Sequence, residues 1–223
     1  MAETIKIAGA DGFEFAAYHE PAFTPRKGGV IVIQEIFGID VHVRADVERW
    51  AKMGYEAIAP SLYDRREPGF TAGHDPDGLK AGIAHAMGTP LDQALGDIAA
   101  CRDFLLKHGP KVCVVGYCYG GSLAWLAAGN VDGLSAASSY YGSMVQANAA
   151  LPLKCPTIVH LGRTDHGIPA DEVAAEVAKY NPDVPVYIYE GAGHGFNNQS
   201  PERYNAEAAD LARHRTLELF DKA

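Results

Sequence analysis

Residues 28 to 35 read GGVIVIQE, an unbroken run of β-branched side chains bounded by two glycines and two polar groups. Successive side chains of a strand point to opposite faces, so a run without alternation requires cover on both sides. A sheet with one face in water is therefore excluded for this segment. KVCVVGYC at 111 to 118 is of the same kind, and LSAASSYYG (134 to 142), CPTIVHLG (155 to 162) and VPVYIYEG (184 to 191) read as further strands between helical stretches. That alternation predicts an α/β fold with a mostly parallel central sheet and helices on both faces.

The remaining segments fit this scheme. TIKIAG and FEFAAYHE, separated by Ala10, Asp11 and Gly12, predict an opening antiparallel hairpin. From Asp40 to Met53, Val43, Val47, Trp50 and Ala51 recur at i, i+4, i+7 and i+8, and Gly54 supplies a stop. YEAIAP is a short strand, and helices are expected over about 79 to 88 and 91 to 108. Pro169 opens another helix, with Asp171 and Glu172 in its first turn. A terminal helix is expected from Glu202, with Tyr204, Ala208 and Leu211 packing inward. Residues 61 to 78, rich in Gly, Pro and Asp, read as a functional loop or lid.

A chain of 223 residues, 48% hydrophobic, buries a sizeable core and is expected to form one domain, 1–223. Its net charge of -9 argues against nucleic acid and anionic lipid as partners, and no window approaches the roughly 20 apolar residues of a membrane helix. The N-terminus lacks a basic and apolar leader pattern, so a cytoplasmic protein is expected. Cys101, Cys113, Cys118 and Cys155 form no C-x-x-C pair and no cluster with histidine, which predicts free thiols, no metal site and no cofactor. A small-molecule substrate and a monomer or weak homodimer complete this expectation.

The chemistry concentrates at VVGYCYGGSLAW, 114 to 125. Gly116 and Gly120 flank Cys118 in a G-x-C-x-G pattern between a strand and a helix, the spacing of a nucleophile elbow with sulfur in place of oxygen. Cys101, Cys113 and Cys155 lie where burial is the simpler reading. Asp165, in GRTDHGIP, and His194, in GAGHGFN, each follow a strand, so a parallel sheet brings nucleophile, acid and histidine to one edge. The order Cys, Asp, His is that of α/β-hydrolases. The N-terminus of the following helix favours thiolate at Cys118, and the N–H groups of Tyr119 and Ile36 are the expected oxyanion donors. Asp165 could alternatively be a helix cap before Pro169, and Glu35 a solvated strand end.

GGVIVIQEIFGI, MGYEAIAPSLY, GYCYGG, GRTDHGIP and GAGHGFN together resemble the dienelactone hydrolase family of α/β-hydrolases over nearly the whole chain. The resemblance implies a Cys118, Asp165, His194 triad, Glu35 as a carboxylate that receives the thiol's proton, and hydrolysis of esters or lactones through an acyl-enzyme. It also marks a departure. Where the family's characterised members hold a substrate carboxylate with two arginines, this chain has Asn198 and the stretch LKAGIAHA around Gly82, with Lys80 the nearest cation. A neutral or weakly polar ester or lactone, or a phosphotriester, is the expected substrate, with Tyr63, Phe37 and Asn198 as candidate pocket residues. Acyl transfer or peptide hydrolysis on the same triad, and a non-catalytic binding module of the same fold, are the alternatives.

Overall fold

The computed structural model describes residues 1–223. In chain order the elements are β1 (Glu3–Ala8), β2 (Glu14–Glu20), β3 (Gly28–Ile33), α1 (Val41–Lys52), β4 (Tyr55–Pro60), α2 (Pro76–Gly88), α3 (Leu91–Leu106), β5 (Val112–Tyr117), α4 (Tyr119–Asn130), β6 (Ala136–Tyr140), β7 (Thr157–Gly162), α5 (Ala170–Tyr180), β8 (Val186–Tyr189) and α6 (Ala206–Lys222). The fold is α/β, with an eight-stranded, mostly parallel sheet ordered β1-β2-β4-β3-β5-β6-β7-β8. The chain divides into two compact units, Met1–Val114 and Val115–Ala223.

In Met1–Val114 the predicted hairpin forms, with β1 antiparallel to β2 and Ala8 opposite Glu14. β2 pairs antiparallel with β4, and β4 pairs parallel with β3. Val30, Ile31, Val32 and Ile33 are all fully buried, so both faces of β3 are covered, as the unbroken run requires. The helices α1 and α3 pack on these strands. α1 starts where Asp40 caps it, accepting from the N–H groups of His42 (3.0 Å) and Val43 (2.9 Å), and Gly54 leaves it at φ 94°. α2 begins earlier than expected, at Pro76, because Asp75 accepts from Gly78 N–H at 2.8 Å and proline suits the first turn.

The 61 to 78 stretch is pinned rather than loose. Asp64 accepts from Ser61 Oγ (2.6 Å), Gly69 N–H (2.8 Å) and Ala16 N–H (2.7 Å). Arg65 forks onto Asp11 and reaches buried Asp97 at 2.7 Å. Tyr63 and Phe70 are buried, packed on each other and on His85, so these aromatics cover core.

In Val115–Ala223, β6, β7 and β8 are parallel in sequence order. Pro169 precedes α5 as predicted. The last helix differs from expectation: it begins at Ala206 with Asn205 as its cap, and Tyr204 lies outside it. Its buried face is Ala208, Ala209, Ala212, Thr216 and Phe220, whereas Leu211 is 40% exposed. Thr216 explains the choice of face: its hydroxyl meets Ser138, Tyr140 and His160 in a buried polar network. Cys155 is half-buried and stands two residues before β7 rather than inside a strand.

One buried charge lets the first unit be tested. Glu56 of β4 accepts from His19 Nε2 (2.9 Å), His108 Nδ1 (2.8 Å) and Arg26 Nε (2.8 Å). Burial pushes its carboxyl up, but the three hydrogen bonds outweigh burial and hold it at about 2. A carboxyl lowered in the folded state stabilises above its ordinary 4.5 and loses that contribution as pH falls towards 2. Glu56→Gln is expected to cost on the order of 3 kcal/mol at neutral pH and to flatten the acid limb between pH 4.5 and 2, measured by urea midpoints across pH.

Candidate active site

β5 ends at Tyr117 and α4 begins at Tyr119, leaving a single residue, Cys118, to turn the chain. Its φ is 56° and ψ is -113°, in the region that side chains rarely adopt. Such strain costs on the order of 1–3 kcal/mol and persists only where the surroundings impose it. Here they do. A Cβ on Gly116 would lie 1.9 Å from the Gly120 carbonyl oxygen, and one on Gly121 would lie 2.2 Å from the Tyr140 carbonyl oxygen. Cys118 N–H donates to Tyr140 O at 3.0 Å, and the Cys118 carbonyl accepts from Ser122 N–H at 3.0 Å. The turn lifts the half-buried thiol to the start of α4, and the Tyr119 N–H beside it lies outside that helix's own hydrogen-bond ladder.

Two neighbouring parallel strands deliver the other groups. Asp165 follows β7 by three residues and His194 follows β8 by five. His194 Nδ1 lies 2.7 Å from Asp165 Oδ2, while Asp165 Oδ1 accepts from Gly167 N–H at 2.9 Å. The cap reading of Asp165 is not what forms: Pro169 occupies the α5 cap position, with no side-chain cap bond. The Cys118 side chain is a further hydrogen-bond partner of the His194 ring. Cys118, Asp165 and His194 therefore meet within the second unit.

The electrostatics follow from these bonds. Burial opposes a charged imidazolium at His194, but hydrogen bonds and charge from Asp165 and Cys118 outweigh it and push the ring up to about 10. Asp165 shows the other side of the same contact: burial works to raise it, and the hydrogen bond and charge of His194 bring it below the ordinary carboxyl range. A group raised in the folded state holds its stabilisation below the ordinary 6.5 and loses it as pH climbs towards 10.

Sequence reasoning missed Tyr141. Its ring sits 5.1 Å from that of His194, and it carries the only other positive φ outside glycine, 39°. The Y-Y-G ending of β6 is the trace this leaves in the sequence. Asp165 and His194 also border a cleft of about 690 Å³ with His166, Arg203 and Tyr204.

The other candidates lie as follows. Asn198 is buried, donates its N–H to Gly195 O at 2.8 Å and accepts from Ser200 N–H at 3.1 Å, so it shapes the turn after His194. Glu35, Ile36 and Phe37 belong to the first unit, in the loop after β3. Glu35 is 6% exposed. Phe37 is buried and stacked on His74 at 3.9 Å, and Tyr63 is buried beneath Phe70 and His85. A Cβ on Gly82 would fall 2.6 Å from the Ile36 carbonyl oxygen, so α2 lies directly against this loop.

The sequence pattern of the dienelactone hydrolase family matches residues 15–223. The chain belongs to the dienelactone hydrolase family. A carboxymethylenebutenolidase of Pseudomonas putida is 36% identical, over 99% of this chain and 96% of that protein. A solved structure from Klebsiella pneumoniae, provisionally described as a dienelactone hydrolase, is 29% identical with a TM-score of 0.87, over 100% of this chain and 99% of that one. A dienelactone hydrolase-like promiscuous phosphotriesterase from metagenomic libraries shares the fold at a TM-score of 0.78 and 21% identity, over 99% and 98% of the two chains. The protein is thus a dienelactone hydrolase-like hydrolase. No helix is long and apolar enough to cross a membrane.

Two substitutions probe this geometry. Asp165→Asn is expected to bring the His194 titration midpoint down from about 10 by more than one pH unit, read from imidazole NMR signals. Gly116→Ala forces a Cβ onto a backbone oxygen and is expected to cost at least roughly 3 kcal/mol, a Tm drop of about 6–12 °C for a chain of this size.

Proposed function

We propose that this dienelactone hydrolase family member cleaves neutral or weakly polar esters and lactones through a covalent acyl intermediate on Cys118. The observation that carries the reading is the linked set of contacts in the second unit: Asp165 Oδ2 at 2.7 Å from His194 Nδ1, and Cys118, at a strained strand-to-helix turn, bonded to the same ring.

In this reading Asp165 fixes the tautomer of His194, and His194 holds the proton taken from the Cys118 thiol. The sulfur attacks the acyl carbon, and the carbonyl oxygen becomes an oxyanion stabilised by the N–H of Tyr119, with Ile36 N–H as the second donor. Collapse expels the alkoxide, which takes the proton from His194 and leaves a thioester. Water then attacks the thioester carbon, giving its proton to His194. The carboxylic acid leaves, and the proton returns to sulfur. The part assigned to Ile36 rests on its place in the family's sequence pattern; the same pattern offers Glu35 as an alternative acceptor of the thiol's proton, a part that His194 takes in this reading. Of the candidate pocket residues, Tyr63 and Phe37 are packed into the core and Asn198 holds the turn after His194, so none is assigned a contact with substrate.

The substrate class follows from the two positions where the family's arginines are absent. A bidentate guanidinium selects for a carboxylate, and neither Asn198 nor the LKAGIAHA stretch around Gly82 supplies one, Lys80 being the only cation close by. Asn198 holds a turn, and Gly82 is pressed on a backbone carbonyl, so neither position is open for a long charged side chain. Phosphotriesters belong in the same panel, because the metagenomic relative of this fold is described as a promiscuous phosphotriesterase.

Matched neutral and carboxylated esters and lactones, with one phosphotriester, test the reading by kcat/KM. Neutral substrates are expected to lead, and a strong preference for carboxylated lactones would overturn the assignment. Cys118→Ala is expected to lose at least roughly 10³-fold in kcat with circular dichroism unchanged, and a slow ester is expected to leave its acyl mass on Cys118 in the wild-type chain.

A further inference from the structure

A second group of donor side chains lies wholly within Met1–Val114. Asp40, His42 and His74 offer one carboxylate oxygen and two ring nitrogens, all within 4.8 Å of one another. We infer that these three residues form a binding site for a divalent transition-metal ion of the Zn2+ or Co2+ type. Two imidazoles and one carboxylate are donors that suit such ions and leave coordination positions for water.

The fold fixes two of the donors in advance. Asp40 uses Oδ1 to cap α1, which turns Oδ2 towards His74 Nε2 at 2.7 Å. The His74 ring is stacked on Phe37 (centroids 3.9 Å, 22°) and meets His42 edge-on at 5.1 Å. The segment carrying His74 is tied down by the Gly38 to Thr71 bridge and by Ala72 N–H donating to Phe37 O at 3.0 Å. His42 stands in the first turn of α1, half-buried.

The distances are close to what an ion requires. Ligands about 2.0–2.2 Å from one ion stand roughly 3–3.4 Å apart. The Asp40 to His74 pair opens only slightly from 2.7 Å, and His42 closes the rest by rotation. On binding through Nε2, the proton shared between His74 Nε2 and Asp40 Oδ2 is given up from Nε2 and one is taken up at Nδ1, so the ring stays neutral and the ion takes the place between the two atoms. The switch of tautomer carries a cost, because His74 Nδ1 is buried without a hydrogen-bond partner and its N–H is left unpaired once the ion holds Nε2.

Asp40 and His74, though not His42, line a groove of about 460 Å³ with Ile39, Arg44 and Thr71. Two positive charges work against a cation there: the α1 N-terminus, offset by the Asp40 carboxylate, and Arg44, whose guanidinium is held over the Tyr18 ring at 4.5 Å. Sequence reading pointed away from a metal because it followed the cysteines. This cluster uses none of them, and its D-x-H pair finds a third donor only when residues 71 to 74 fold back on the loop after β3. A bound ion would brace that loop, which carries Glu35, Ile36 and Phe37, without entering the hydrolytic reaction.

The test is Zn2+ calorimetry and Co2+ visible absorption on the full chain, in wild-type and Cys118→Ala backgrounds so that the thiol is removed as a competing ligand. One saturable equivalent is expected in both backgrounds. His42→Ala, a partly exposed helix position, is expected to weaken it at least tenfold while ester turnover in metal-free buffer is unchanged, and His74→Gln to do the same to binding. Absence of a saturable equivalent in Cys118→Ala would overturn the inference. So would undiminished binding in the His42→Ala, His74→Gln double variant, which would mark the ion as held by other surface histidines. If His74→Gln fails to fold, His42→Ala alone decides. The hydrolase reading is judged separately, by turnover of Cys118→Ala in chelated buffer.

Discussion

The backbone at Cys118 cannot relax, and the second unit is organised around that fact. A residue with a Cβ at φ 56° drifts to a commoner conformation unless something closes off the alternatives. The Gly116 and Gly120 backbones touch, so the end of β5 and the first turn of α4 act as one piece. The turn after β6 braces it from outside: Tyr140 O accepts from Cys118 N–H, Ser139 Oγ donates to Gly121 O, and Ser122 Oγ accepts from Met144 N–H. That turn is itself strained at Tyr141, whose N–H is held by His160 O. The two irregular turns support each other, and the ring of Tyr141 reaches His194 from this second one.

Two buried carboxylates in this chain are held ionised by histidine, and the comparison separates structure from chemistry. Glu56 receives two imidazoles and a guanidinium, so its charge is fully matched by fixed donors. Asp165 receives one imidazole and backbone N–H groups, and the same imidazole is also bonded to a sulfur. Burial and hydrogen bonding pull in the same opposed directions at both sites. Only at Asp165 is the histidine that holds the carboxylate also bonded to a thiol. The first arrangement is an anchor; the second is the one that the proposed hydrolysis would use.

How far the chain could be read before its structure depended on the distance over which each residue acts. The runs at 30 to 33 and 112 to 117 announce buried strands because burial on both faces leaves no polar residue in the pattern. The α1 boundaries were legible because Asp40 and Gly54 act on their own neighbours. The elbow was legible because contacts between residues four apart demand the glycines. Asp64 was not, since its meaning lies in a bond to Ala16, 48 residues away. The inward face of α6 was misread because Thr216, a polar residue, is the one that the buried Ser138, Tyr140 and His160 require, and hydrophobic spacing gives it no weight. Tyr141 was passed over because its backbone twist and its contact with the His194 ring leave only the Y-Y-G trace after β6, which by itself points to no partner.

The same distinction bears on why the family's substrate clamp is missing. If Asn198 and Gly82 were idle surface positions, their loss of arginine would say little about substrate, because another cation could stand in. They are not idle. Asn198 is buried and sets the turn that follows His194. Gly82 is the only buried residue of α2, and a Cβ there would meet both the carbonyl oxygen and the Cβ of Ile36. A longer side chain at 82 therefore requires α2 or the loop after β3 to shift, and that loop carries Glu35 and the Ile36 N–H. The close approach of α2 to the loop after β3 is what leaves no room for a longer side chain at 82. On the proposed reading, an arginine at 82 would take a repositioned helix as well as the substitution.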